Sequence, residues 1–166
     1  MRWSKLNVLL IVIVGALVGV GSYAFIYARG YSYLLNDPKA CANCHVMNDQ
    51  YSGWIKSSHH SVATCNDCHT PHNFLGKYAV KASNGFFHSF YFTTGKYPDN
   101  IQITKFDREV VEGACRHCHS NITEAIDASH VHGREALHCT RCHSSVGHSE
   151  STASLVLPEN LRRDHE

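Results

Sequence analysis

The sequence has no cysteine outside four short motifs, so none is left for a structural disulfide framework. It also has almost no net charge, with 15 Lys and Arg residues against 14 Asp and Glu residues. That balance lacks the basic excess typical of nucleic-acid-binding domains, and we expect no nucleic-acid partner. No βαβ pattern of the kind that accompanies a thioredoxin-like Cys-x-x-Cys is visible. These absences argue that the chain is not a disulfide-stabilised, nucleic-acid-binding or thioredoxin-like protein.

What the chain does contain is eight cysteines and fourteen histidines in 166 residues. All eight cysteines fall in four Cys-x-x-Cys-His motifs: CANCH (41–45), CNDCH (65–69), CRHCH (115–119) and CTRCH (139–143). This is the attachment signature of c-type haem, in which two thiols bond the porphyrin edge and the adjacent histidine can reach the iron. Zinc also binds Cys-x-x-Cys pairs, but zinc sites do not need a histidine directly after the second cysteine. We therefore expect four covalent haem c groups, attached to Cys41, Cys44, Cys65, Cys68, Cys115, Cys118, Cys139 and Cys142.

Residues 8–28 form a run of 21 residues without a charged side chain. That length is sufficient for one helix to cross the hydrocarbon core of a bilayer. Arg2 and Lys5 precede it, so the positive-inside rule predicts that residues 1–7 are cytoplasmic. The alternative is a cleaved signal peptide, although the apolar region of such a peptide is usually shorter. Both interpretations export the rest of the chain, and we expect a single-pass protein of the cytoplasmic membrane with a periplasmic haem domain.

The exported part is predicted to comprise a tetrahaem domain (29–150) and a polar C-terminal extension (151–166). The first two motifs start 24 residues apart, as do the last two, with a longer segment (70–114) between the pairs. A protein part this small buries little apolar surface by itself, so the haems should form much of the core. We predict a mainly α, small multihaem cytochrome fold with little or no β-structure.

The segment between the motif pairs predicts an amphipathic helix within residues 72–98. Lys77, Lys81 and His88 fall on similar helical phases and form a basic stripe. Asn84-Gly85 is expected to break the helix. The segment is either an ordinary solvated helix or a helix that lies at the membrane surface beside the first haem.

Each haem has a candidate proximal ligand in its own motif, namely His45, His69, His119 and His143. The second ligands must come from elsewhere, and ten further histidines are available. Only the first motif is followed by a methionine, Met47, which is either a thioether ligand to the iron or a flexible apolar filler beside the porphyrin. Met47 is too close to His45 for the two to take opposite faces easily, so a methionine ligand would replace that histidine.

These features together resemble the NapC/NirT family of membrane-anchored tetrahaem quinol dehydrogenases. The resemblance rests on the N-terminal apolar helix followed by CANCHVM, HHSVATCNDCHTPHN, FFHSFYFTTG, CRHCH and CTRCHSSVGH. The short length and the CNDCHTPHN, FTTG and CHSSVGH stretches favour those members that serve a cytochrome c nitrite reductase. The resemblance thus implies oxidation of menaquinol or another quinol, a catalytic multihaem nitrite reductase subunit as partner, and a hetero-oligomeric membrane complex. The alternatives are a quinol dehydrogenase that feeds another periplasmic reductase and a membrane-tethered carrier without quinol chemistry.

The resemblance also implies roles for individual residues. Met47 would ligate the first haem in place of His45, and Lys81 would lie at the quinol pocket. His69 would ligate the second haem, whose other ligand comes from the partner subunit. By the same resemblance, His88 stands where one relative has an aspartate over the open face of the first haem, so it is a candidate either for iron ligand or for proton acceptor. The implied ligand pairs of the third and fourth haems are His119 with His148 and His143 with His60.

Overall fold

The computed structural model describes residues 4–98, 101–129 and 138–148. These residues form seven α-helices and no strand, which confirms the predicted mainly α fold. The helices are α1 (Lys5–Tyr27), α2 (Asn48–Ile55), α3 (Cys65–His69), α4 (Phe74–Thr94), α5 (Lys105–Cys118), α6 (Ser120–Ser129) and α7 (Cys139–Cys142). Three 3₁₀ helices lie between α1 and α2, at Gly30–Leu34, Pro38–Asn43 and His45–Met47. The predicted C-terminal extension lies outside the described residues.

The first compact unit ends at Leu35 and consists mainly of α1. Ser4 caps this helix by accepting a hydrogen bond from the Asn7 backbone N–H at 3.2 Å. None of its residues is buried, although nearly all are apolar. Its 23 residues extend about 34 Å at roughly 1.5 Å per residue, enough to span the hydrocarbon core of a membrane. The helix starts three residues before the start of the predicted span and ends one residue before the end of that span.

The second compact unit starts at Asn36 and contains all four motifs. In the described part of this unit only two apolar residues, Val80 and Ala114, are buried. Contacts between protein side chains therefore supply little hydrophobic stabilisation, as the small size of the protein part predicts. Helix α5 is central, since α3, α6 and α7 all contact it.

Helix α4 does not break at Asn84-Gly85, contrary to the sequence-based prediction. It continues from Phe74 to Thr94 and ends at Gly95, whose φ of 66° is the left-handed conformation that favours glycine. One glycine inside a helix costs only about 1 kcal/mol. The Asn84 side chain also donates a 2.8 Å hydrogen bond to Asp107 on α5, which favours the unbroken helix.

Candidate haem and quinol site

The second, third and fourth motifs place their cysteines on helices. The second motif is the whole of α3, the third ends α5, and the fourth forms α7, with His119 and His143 as the C-terminal caps of the last two. Side chains three positions apart lie on the same face of a helix, so both thiols of a motif can approach one porphyrin edge. None of the eight cysteines forms a disulfide bond, so all eight are available for attachment. These features fit covalent haem attachment.

The first motif has a different backbone. Cys41 lies in the 3₁₀ helix Pro38–Asn43, whereas Cys44 is extended with φ −90° and ψ 114°. A separate 3₁₀ helix, His45–Met47, follows directly. Met47 is half-buried, while His45 is exposed and its ring centre lies 6.2 Å from that of Phe92 on α4. The expectation that Met47 replaces His45 as iron ligand stays a prediction.

Motifs that follow one another in the sequence have cysteines that lie close together in space. The Cys65 thiol donates a hydrogen bond to the Cys41 sulfur, which lowers the pKa of Cys41 to about 7 and raises the pKa of Cys65. Burial raises the pKa of Cys68, and Cys118 of the third motif raises it further. Burial raises the pKa of Cys115 to about 11, with a contribution from Cys139 of the fourth motif. The four attachment sites are thus ordered in space as they are in the sequence, from the first to the fourth.

Two motif histidines lie close to histidines from distant parts of the chain. The ring centres of His69 and His148 are 6.0 Å apart, and those of His119 and His59 are 6.1 Å apart. Burial, followed by the nearby His148, lowers the pKa of His69 to about 4. That histidine is therefore neutral at physiological pH, which is the form that binds a metal.

Two of the histidines expected to ligate the third and fourth haems contact other rings. His148 is beside His69 in the second motif, although the resemblance implied that it pairs with His119. His60 is exposed, and its ring packs against Trp54 with 4.6 Å between ring centres. The adjacent His59, which the resemblance did not single out, is half-buried and faces His119. His130 and His132 lie outside the described residues.

Lys81, the expected quinol-site lysine, is among the most buried residues of the described chain, with 3% of its surface exposed. Burial and the neighbouring Lys77 lower the pKa of Lys81, whereas Cys41 of the first motif raises it. Its Nζ lies 6.0 Å from the centre of the Tyr78 ring. Lys81 is therefore a desolvated amine within electrostatic range of the first haem-attachment site.

His88 lies seven positions after Lys81 on α4, on the same face and about 10 Å further along the helix. Part of its surface is exposed, but the surrounding protein desolvates the ring enough to lower the pKa of His88. Asp107 acts in the opposite direction and raises that pKa. A neutral imidazole near a carboxylate can accept a proton and can be stabilised once it is charged.

The structure reveals a further residue, Glu112, that the sequence patterns did not indicate. Glu112 is 6% exposed, and its carboxylate accepts hydrogen bonds from the Cys139 N–H (2.6 Å), the Thr140 N–H (2.9 Å) and the Thr140 hydroxyl (2.6 Å). Burial alone would raise the pKa of Glu112, but these hydrogen bonds outweigh burial and lower it. Glu112 thus joins the helix of the third motif to the start of the fourth.

Three features together define the class of membrane-anchored multihaem c-type cytochromes. Helices present pairs of thiols, histidines from distant segments lie near the motifs, and one apolar N-terminal helix is exposed. The model of the NapC/NirT cytochrome c family, N-terminal region, matches residues 1–153, and the chain belongs to that family. As a member of a cytochrome c family, it binds haem c covalently.

Named relatives place the chain more narrowly. It is 36% identical to the cytochrome c-type protein NrfH of Wolinella succinogenes, covering 91% of this chain and 90% of that protein. It is 34% identical to the cytochrome c nitrite reductase subunit NrfH of Nitratidesulfovibrio vulgaris, covering 83% and 82%. It also resembles a chain in the crystal structure of the cytochrome c nitrite reductase NrfHA complex bound to the HQNO inhibitor, with a TM-score of 0.61, 30% identity, and coverage of 86% and 96%.

Proposed function

We propose that this chain is the membrane-anchored tetrahaem quinol dehydrogenase of a cytochrome c nitrite reductase. It oxidises menaquinol or a similar quinol at the outer face of the cytoplasmic membrane and delivers the electrons to a multihaem catalytic subunit. The names of two relatives and the NrfHA complex support the choice of partner. The positive residues before the apolar run 8–28, Arg2 and Lys5, support an N-terminus in the cytoplasm and haems in the periplasm.

The position of Lys81 carries the quinol part of the proposal. Burial of a lysine lowers the stability of the fold, because burial disfavours the charged form. A buried lysine is therefore expected to have a function that offsets this cost. Lys81 lies within electrostatic range of Cys41, and Cys41 follows Arg29 by only twelve residues. The first haem is thus tethered near the end of the membrane helix, where a lipid-soluble quinol can reach it.

The residues of the site divide the chemistry between them. Oxidation of a quinol releases two electrons and two protons. Lys81 donates a hydrogen bond to one quinol oxygen and orients the ring. His88 accepts one of the two protons, Asp107 stabilises the resulting imidazolium, and the second proton passes to water on the periplasmic side. The haems, when bound, take up and pass on single electrons. The order of the attachment cysteines supports a path from the first haem to the fourth, and from there to the partner.

Quinol-dependent haem reduction in proteoliposomes tests the proposal. The holoprotein should be reduced by a menaquinol analogue, as followed in the haem absorption bands, and HQNO should inhibit the reaction. His88→Ala should slow this reduction if His88 is the proton acceptor, while reduction by dithionite stays unchanged. Absence of quinol-dependent reduction in protein that dithionite reduces fully would leave a tethered electron carrier as the better description.

A related function is favoured by one further similarity. The chain is 28% identical to the cytochrome c-type protein NapC of Haemophilus influenzae over 87% of its length. A quinol dehydrogenase of that kind could feed a different periplasmic reductase. Purification of the native membrane complex distinguishes the two cases, because the co-purified catalytic subunit is either a multihaem nitrite reductase or another enzyme.

A further inference from the structure

We propose that helix α4 lies in the surface of the lipid bilayer, as a second membrane contact of this chain besides α1. The contact surface is an apolar stripe of five residues: Leu75, Ala79, Ala82, Phe86 and Phe90. The proposal decides between the two alternatives for this segment, a solvated helix and a helix at the membrane surface. It rests on the membrane anchor of the proposed function but not on quinol oxidation.

The apolar stripe follows from the spacing of its members. They are four, three, four and four residues apart, which keeps side chains on one face of an α-helix. Because α4 is continuous from Phe74 to Thr94, the stripe is also continuous and extends about 22 Å at roughly 1.5 Å per residue. No member has a charged or hydrogen-bonding side chain.

The burial of α4 is the reverse of that expected for a solvated helix. All members of the apolar stripe are exposed, and Leu75, Phe86 and Phe90 are 80%, 66% and 45% exposed. The residues of α4 that the protein buries are Val80 and Lys81. Phe86 and Phe90 follow Lys81 by five and nine positions, which places them on roughly the opposite side of the helix. A solvated helix turns its apolar side to the core and its lysines to water, so this apolar side needs another apolar phase.

The C-terminal half of the stripe widens into a patch of aromatic rings. Phe86 stacks on Phe90 with 6.4 Å between ring centres, and Phe87 stacks on Tyr91 with 6.2 Å. Contacts of 5.3 Å between Phe86 and Phe87, and of 5.6 Å between Phe90 and Tyr91, join the two rows. The four side chains are between 43% and 66% exposed. They form one continuous apolar surface, and such a surface marks a site of interaction with a partner or a membrane.

The charges around the stripe favour a lipid surface. Residues 74–98 contain no Asp or Glu, and their charged residues are Lys77, Lys81 and Lys96. Phenylalanine and leucine on one side of a helix, with lysine and no acid on the rest, are typical of helices that bind anionic bilayers. The exposed Tyr91 and Tyr97 fit the interface, where tyrosine places its ring in the apolar layer and its hydroxyl in water. A protein–protein interface would instead combine an apolar centre with a polar rim.

The connection to α1 also favours the bilayer. Only residues 28–35 separate the end of α1 from the start of the second compact unit. Within that unit, Phe92 at the aromatic end of α4 contacts His45, with 6.2 Å between ring centres. His45 belongs to the motif that is nearest to α1 in the sequence. The aromatic end of α4 is therefore part of the region that the chain tethers to the membrane.

Lipid cross-linking of the holoprotein in nanodiscs tests the proposal. The nanodiscs contain phosphatidylethanolamine, phosphatidylglycerol and a trace of phospholipid with a photoactivatable diazirine on its acyl chain. Peptide mapping by mass spectrometry should find cross-links in two segments, α1 and residues 75–91. Peptides with Val62 and Ile122, which are 78% and 61% exposed, are the internal controls and should stay unmodified. Cross-links confined to α1, or equally frequent in the control peptides, would overturn the proposal.

Variants separate the apolar stripe from other exposed apolar residues. Phe86→Glu with Phe90→Glu should lose the cross-links of α4 and keep those of α1, because a charge is disfavoured in the apolar layer. Ile122→Glu, on α6, is the matched control and should keep both sets. An unchanged haem spectrum checks that each variant is folded, and Leu75→Glu repeats the test at the other end of the stripe if the double variant does not accumulate. Retention of the α4 cross-links in the glutamate variants would contradict the proposal.

The same measurement on the native membrane complex tests the other possible occupant of the stripe. Loss of the α4 cross-links when the catalytic subunit is bound would assign the stripe to that subunit and overturn the lipid contact. Cross-links on α1 report the membrane anchor independently, and no quinol is present. A failure of the anchor or of quinol oxidation is therefore visible separately from a failure of this proposal.

Discussion

The first haem-binding motif and the other three share a five-residue pattern but not a backbone. In the second, third and fourth motifs the cysteines belong to helices α3, α5 and α7. In the first, an extended Cys44 separates two 3₁₀ helices, and His45 belongs to the second of them together with Met47. The pattern determines which chemistry is possible, whereas the flanking residues determine how the motif histidine is presented.

The flanking residues explain the difference. Pro38 follows the cap Asp37 and starts a short 3₁₀ helix rather than a long α-helix. The second motif, by contrast, starts at a capping box, in which the Thr64 N–H and hydroxyl donate to Asp67 at 2.8 and 2.7 Å. Capping of this kind stabilises the first turn of a helix. The first motif therefore differs in local structure from the other three.

The largest expected effect comes from removal of one attachment site. Cys41→Ala with Cys44→Ala, and separately Cys139→Ala with Cys142→Ala, should each lower haem content from four to three by pyridine haemochrome absorbance. If quinol enters at the first motif, the first double variant should lose quinol-dependent reduction completely. The second should keep reduction of its remaining haems but lose electron delivery to the partner. Equal loss of quinol-dependent reduction in both would contradict the proposed division of tasks.

The next effect concerns the lysine beside the first motif. Lys81→Met keeps much of the side-chain volume but removes a hydrogen bond from a charged group, worth about 1.5–3 kcal/mol, so quinol-dependent reduction should slow roughly 10- to 100-fold. Lys77→Met, one turn earlier on α4 and less buried, is the matched control and should change the rate by less than about threefold. Comparable slowing in the control would show that net charge, rather than the position of Lys81, controls the reaction.

A smaller effect tests whether Met47 sets the first haem apart. A methionine ligand gives a higher reduction potential than a second histidine, so Met47→His should lower the potential of one haem in a spectroelectrochemical titration and leave three unchanged. Met47→Leu should remove the ligand and alter the spectrum of that same haem. If Met47 only fills space beside the porphyrin, the leucine variant will have the wild-type spectrum.

Sequence reasoning predicted the class of fold and the attachment motifs, because both depend on local patterns. It was wrong about Asn84-Gly85, since the hydrogen bond that favours the continuous helix is donated by Asn84 to Asp107, 23 residues away. It gave no means to separate His59 from His60, because the contacts that distinguish these neighbours, such as the one between His59 and Val146, come from distant parts of the chain. Residues whose role depends on a distant contact carry no local signal.

Glu112 is the clearest case of such a residue. Its hydrogen bonds join the third and fourth motifs, which are helical, and do not involve the first motif. Glu112→Gln keeps the size of the side chain but weakens its hydrogen bonds to Cys139 and Thr140, each of which contributes about 1.5–3 kcal/mol when the acceptor is charged. We expect the thermal unfolding midpoint of the holoprotein to fall by several degrees, with the spectrum of the first haem unchanged. Glu109→Gln, on the same helix, is the control and should have almost no effect.

The pH dependence sharpens this last test. Because the folded protein lowers the pKa of Glu112 below its ordinary value of 4.5, its contribution is fully present above pH 4.5 and is lost as the pH falls through the folded-state pKa. The difference in unfolding midpoint between wild type and Glu112→Gln should therefore shrink on acidification below pH 4.5. A difference that stays constant there would mean that the carboxylate charge is not what holds the fourth motif against α5.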